Sequence, residues 1–96
     1  MNIYKVSQSI NNDYDTYDSF ICYASTEEEA RKMYPSNYEP TKWDEDTKKH
    51  IPCSWLDPEF TYNEWANKLD QVKVKYIGTT IENKQSAVIL ASFNAG

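Results

Sequence analysis

The stretch Ser19-Phe20-Ile21-Cys22-Tyr23-Ala24-Ser25-Thr26-Glu27-Glu28-Glu29-Ala30-Arg31-Lys32-Met33-Tyr34-Pro35 changes character part-way along. Its first six residues are aromatic, β-branched or small and carry no charge, which is strand composition. From Ser25 onward the pattern is that of a helix start. Ser25 with Glu28, or Thr26 with Glu29, makes a capping box, in which a hydroxyl accepts an orphan first-turn amide proton and a glutamate reaches back. Three glutamates stand at the electropositive end of this helix, and Arg31 and Lys32 stand at the other. Pro35 pushes the residue before it out of the α region and stops the helix. Ala30, Met33 and Tyr34 then share the face that docks on a sheet.

Working outward, residues 2 to 8 place Ile3 and Lys5 on one face and Tyr4 and Val6 on the other, a strand that pairs with residues 19 to 24 as a hairpin. Residues 11 to 18 between them are Asn, Asp, Thr and two tyrosines, Tyr14 and Tyr17, which reads as a loop. Residues 36 to 58 lack periodicity, carry Pro40, Pro52 and Pro58, and are expected to be an irregular excursion pinned by Trp43 and Trp55. Asp57 as a cap and Pro58 at a first position suggest a second helix to about Asp70. Val72, Val74 and Tyr76 alternate with Lys73 and Lys75, a half-exposed strand ended by Gly78. After a polar turn at residues 81 to 85, residues 86 to 93 form an uninterrupted run with a β-branched centre, expected to be a central strand buried on both faces. The expected fold is a single α+β domain over residues 1 to 96. It is a four-stranded antiparallel sheet with one or two helices packed on one face, and residues 36 to 71 form the irregular, partly helical excursion.

Composition narrows the function. The 96 residues carry ten Lys or Arg against fifteen Asp or Glu, a net charge of -5 and a pI near 4.7, so no basic face is available to coat nucleic acid. Three Trp, eight Tyr and three Phe argue against disorder despite a mean hydropathy of -0.81. No apolar leader follows Met1 and the longest apolar run is only residues 87 to 91, so neither secretion nor a membrane span is expected. Cys22 and Cys53 are then free thiols, and with His50 the single histidine no zinc site is expected. The chain has two glycines, Gly78 and Gly96, which excludes a glycine-rich phosphate cradle. His50 lies near Cys53 without a nucleophile motif around either, so no catalytic residue and no cofactor is assigned.

Several groups are candidates for binding. The loop bearing Asp13, Tyr14, Asp15, Tyr17 and Asp18 has three readings: a calcium loop, a solvated loop with a tyrosine folded back on the core, or a recognition loop whose tyrosines give rigid contact area. The glycine and distal glutamate of a helix-loop-helix calcium site are missing, so no metal is expected. Phe93 beside Asn94 suits stacking on a base and hydrogen-bonding its edge, or it is an ordinary strand end. Residues 1 to 70 hold seven Lys or Arg against fourteen Asp or Glu, so this part of the chain either imitates nucleic acid toward a basic partner or is simply soluble. Trp43 and Trp55 either line a pocket or fill the core.

The segments Tyr14-Asp15-Thr16-Tyr17-Asp18-Ser19-Phe20, Ala24-Ser25-Thr26-Glu27-Glu28-Glu29-Ala30-Arg31, Tyr34-Pro35-Ser36, Val72-Lys73-Val74 with Ile77-Gly78, and the closing Val88-Ile89-Leu90-Ala91-Ser92-Phe93-Asn94-Ala95-Gly96 resemble a family of short phage and prophage proteins, mostly without assigned function. Residues 59 to 71 depart from that pattern as an insertion. The resemblance implies a phage counter-defence protein in the host bacterial cytoplasm. One mechanism is a sponge that binds a nucleotide immune messenger of the cyclic ADP-ribose type without cleaving it, as a homo-oligomer. Tyr14, Tyr17, Asp18, Arg31, Trp43, Phe93 and Asn94 would form its site, with Lys5 or Lys32 beside Arg31 on the phosphates. The alternative is an acidic inhibitor, similar to anti-CRISPR proteins, docking on a basic surface of a host defence protein through Asp13, Asp15, Asp18, Asp44, Glu45 and Asp46.

Overall fold

Side chains on a strand alternate between faces, so Tyr4 and Val6, like Phe20, Cys22 and Ala24, can be buried together while Ile3, Lys5, Ile21 and Tyr23 face away. The computed structural model describes residues 1–12, 14–36, 39–80 and 85–94. Strands β1 (Asn2–Ser7) and β2 (Thr16–Ala24) pair antiparallel, with Tyr4 opposite Cys22 and Val6 opposite Phe20. After them come helix α1 (Glu27–Lys32), a hairpin of β3 (Thr41–Asp44) and β4 (Lys49–Pro52), a 3-10 turn at Leu69–Gln71, then β5 (Lys73–Thr79) and β6 (Ala87–Asn94). The main sheet has the order β5-β1-β2-β6, and each neighbouring pair is antiparallel. The four-stranded antiparallel sheet is as expected, and the regular structure among the described residues is mostly strand, with one helix and the 3-10 turn.

Helix α1 is capped by Thr26, whose hydroxyl accepts from the Glu29 amide at 3.1 Å. The Glu29 carboxylate returns to Ser25, accepting from its amide at 3.3 Å and its hydroxyl at 3.0 Å. Only Ala30 of the helix is buried, and the backbone is extended again by Met33. Six residues span about 9 Å, too little to cover the sheet. The irregular chain after β4 covers the rest. Trp55 and Trp65 are 5% and 3% exposed. Trp55 Nε1 donates to the Lys32 carbonyl at 2.7 Å, satisfying one of the acceptors left open at the helix end. The Trp65 ring lies 5.3 Å from that of Phe20.

Five expectations are corrected. The second helix from Pro58 to Asp70 does not form, and only the Leu69–Gln71 turn is helical. The Glu64 carbonyl, which a helix would use internally, accepts from the Tyr17 amide at 2.8 Å instead, and Trp65 and Ala66 are buried side by side. Trp43 does not pin the excursion: it sits on the unexpected β3–β4 hairpin, 46% exposed, and Trp65 takes the buried role beside Trp55. The last strand is not central. Among the described residues β6 pairs only with β2, at the edge of the sheet, leaving Ile89, Leu90 and Phe93 46%, 64% and 45% exposed. Finally, β2 begins at Thr16, so Tyr17 and Asp18 belong to a strand and not a loop, and β5 runs through Gly78. The polar turn expected at residues 81 to 85 lies mostly outside the described residues, as does Asp13.

Cys22 is buried and Cys53 half-buried, and both are free thiols. Burial, with the Glu29 carboxylate nearby, pushes the Cys22 thiol up to about 11. A thiol that holds its proton more tightly when folded stabilises fully below the ordinary cysteine range and loses that contribution as pH rises towards 11. Denaturant titrations are therefore expected to show stability declining from about pH 8.5 upward, more steeply for the wild type than for Cys22→Ala. A disulfide reagent at pH 8 should modify Cys53 and reach Cys22 only on unfolding.

Candidate functional site

Two concave regions flank the irregular segment. The first lies at the end of the β2–β6 pair. A register shift between Tyr17 and Ser19 takes Asp18 out of the ladder, so Tyr17 stands opposite Phe93. Such a bulge re-aims the side chains on either side of it. The two rings meet with centroids 4.6 Å apart and planes at 44°. With Pro35, Leu90 and Ala91 they line a recess of about 330 Å³. Asn94 closes β6 opposite Thr16, at the same end of the sheet.

Buried Gln8 sets the chain leading into this region. Its Nε2 donates to the carbonyls of Asn11 and Tyr17, both at 2.8 Å, while its Oε1 accepts from the amides of Ile10 at 2.9 Å and Asn11 at 2.8 Å. Asn11 in turn donates from Nδ2 to the Asn63 carbonyl at 2.9 Å. Nothing in the sequence pattern singled out Gln8, because its role depends on where four backbone groups meet.

The second region is a cleft of about 490 Å³ between the helix exit and the irregular segment, lined among others by Tyr34, Glu39, Phe60, Tyr62 and Glu64. The Tyr34 and Phe60 rings are 5.5 Å apart at 86°, and those of Phe60 and Tyr62 are 5.8 Å apart at 55°. Tyr34 donates from its hydroxyl to Glu64 Oε2 at 2.7 Å. Burial and the Glu64 carboxylate raise the Tyr34 hydroxyl far above the ordinary tyrosine range, so it stays a donor. No local sequence signal marks this cleft, since Phe60 and Tyr62 fall in the stretch expected to be the second helix.

The sequence candidates are dispersed. Tyr17, Phe93 and the Asn94 backbone come together. Tyr14 is 78% exposed on the turn before β2, and Asp18 is exposed, its carbonyl accepting from the Gln8 amide at 3.1 Å. Trp43 is on the hairpin, its Nε1 donating to Glu45 at 3.0 Å and its ring 5.3 Å from that of His50. Arg31 lies on α1, paired with Glu27 at 3.0 Å and donating to the Val72 carbonyl. Lys5 faces the opposite side of the sheet, beside Ile21 and Lys75 in register. Among the described residues no group of three or more His, Cys, Asp or Glu could hold a metal ion, and no helix is long and apolar enough to cross a membrane.

No family matches the chain. Neither a protein-family model, a curated protein nor a solved structure is found to be similar to it. Any functional reading is carried by the two regions themselves.

Arg31 holds the Val72 carbonyl, which joins α1 to the chain entering β5. Arg31→Ala is accordingly expected to lower stability by about 1–2 kcal/mol, because a partly buried carbonyl loses a charged donor. A melting curve measured without ligand checks this; an unchanged midpoint would leave Arg31 free for another role.

Proposed function

We propose that this is a phage-encoded counter-defence protein that binds a nucleotide immune messenger of the cyclic ADP-ribose type and sequesters it without turnover. The observation that carries the reading is the Tyr17–Phe93 ring pair lining a recess at the end of β2 and β6. Aromatic faces stack on a nucleobase whatever its edge pattern. Phe93 keeps 45% of its surface exposed, so a ligand can reach it without unfolding the strand.

The phosphates need cations, and those named from the sequence stand apart from the recess within one chain. Arg31 and Lys32 sit on α1, and Lys5 lies on the far face of the sheet. The binding unit is therefore a homo-oligomer in which a second copy approaches the unpaired β6 edge and brings positive groups to the phosphates. The bacterial cytoplasm of an infected cell is where such a messenger is made.

Melting the protein against a panel of cyclic ADP-ribose isomers and cyclic dinucleotides tests this. One nucleotide at 100 times its dissociation constant should add about 2.7 kcal/mol, a shift on the order of 10 °C for a domain this size. The nucleotide should be recovered chemically intact after denaturation. Phe93→Ala should keep the fold and weaken binding about ten-fold or more. A flat panel, or recovery of a cleaved product, would overturn the reading.

A further inference from the structure

We infer that the cleft of Tyr34, Phe60, Tyr62, Glu39 and Glu64 is a second binding site, shaped for the guanidinium group of an arginine on a partner protein. This site uses none of the residues of the nucleotide recess and stands or falls separately from it. Three aromatic rings in successive contact form a bent wall, with neighbouring planes at 86° and 55°. The aromatic face is electronegative, and a flat, weakly hydrated cation stacks on it. Two carboxylates, Glu39 and Glu64, line the same cleft, and no Lys or Arg is among its lining residues. Tyr34 orients Glu64 through the hydrogen bond to Oε2, a fixed carboxylate of the kind that guanidinium pairs with in plane.

The surroundings favour a cation supplied from outside. Lys42, next to Thr41 of the cleft, already has its charge matched by Asp57 at 3.0 Å and Glu59 at 3.7 Å. Tyr62 is 74% exposed although its ring is large and apolar, and it also borders the shallower hollow of Trp43 and His50. A chain of net charge -5 meets a basic protein surface readily, and an aromatic recess among carboxylates gives that encounter a fixed anchor.

The probe is a short Gly-Arg-Gly-Arg-Gly peptide titrated into the 15N-labelled protein, beside the same peptide with citrulline, the uncharged isostere, and with lysine. Saturable amide shifts confined to residues 34 to 41 and 60 to 64 are expected with arginine. The citrulline peptide should not saturate, and the lysine peptide should bind several-fold more weakly. Tyr62→Ala and Glu39→Gln, both at exposed positions, should each leave the melting midpoint nearly unchanged and weaken the arginine peptide about five-fold. Equal binding of the citrulline or lysine peptide, shifts centred on the acidic hairpin tip at Asp44, Glu45 and Asp46, or affinity unchanged by Tyr62→Ala would overturn the assignment.

Discussion

The structure depends on one packing problem: a four-stranded sheet with an apolar face and only a six-residue helix to cover it. The uncovered part is closed by two indoles from chain that has no regular structure. Trp65 lies against Phe20 at the centre of the core, and Trp55 ties itself to the end of the helix through the Lys32 carbonyl. Aromatic side chains of this size bury about 150–250 Å² each and so offset part of the cost of ordering an irregular segment. The segment is further sewn to the sheet by backbone and amide hydrogen bonds from Tyr17 and Asn11. Both concave regions sit along these seams. The recess flanks Tyr17, and the cleft flanks Tyr34, Phe60 and Glu64.

Covering one face leaves the rest of the sheet open, and the two edges differ in charge. β5 carries Lys73 and Lys75, which discourage strand addition, whereas β6 has no charge from Ala87 to Asn94. An uncharged, apolar edge is a surface on which two acidic chains can meet with least repulsion. This asymmetry agrees with the proposed sharing of the nucleotide site between copies, since the recess itself lies against β6. Glu27, Glu28 and Glu29 lie on α1 and Asp44, Glu45 and Asp46 on the β3–β4 hairpin, while Asp18 stands in the bulge of β2 beside the recess.

What the sequence revealed follows from how local each signal is. The cap at Thr26 and the charge gradient of α1 are settled within ten residues, and the alternation of Tyr4 and Val6 against Ile3 and Lys5 is a property of the strand alone. The location of β6 is not. An uninterrupted apolar run reads as doubly buried, but the register shift at Cys22 and the absence of a second strand neighbour expose Ile89 and Leu90. The missing second helix has the same origin. Asp57 and Pro58 are sound helix-start residues, yet the Glu64 carbonyl is claimed by Tyr17, 47 positions earlier in the chain. Of the candidate site, Tyr17 and Phe93 were legible as aromatic residues near polar ends. Their pairing depends on a bulge that removes Asp18 from the ladder, and no pattern in the sequence announces it.

The most direct test of the nucleotide site is amide hydrogen exchange, followed by mass spectrometry, with and without the cyclic ADP-ribose isomer that binds most tightly. Protection gained at residues 16 to 19 and 90 to 94, with β1 unchanged, is the expected result. Protection confined to the helix around Arg31, or to residues 34 to 41 and 60 to 64, would contradict a site built on the Tyr17–Phe93 pair.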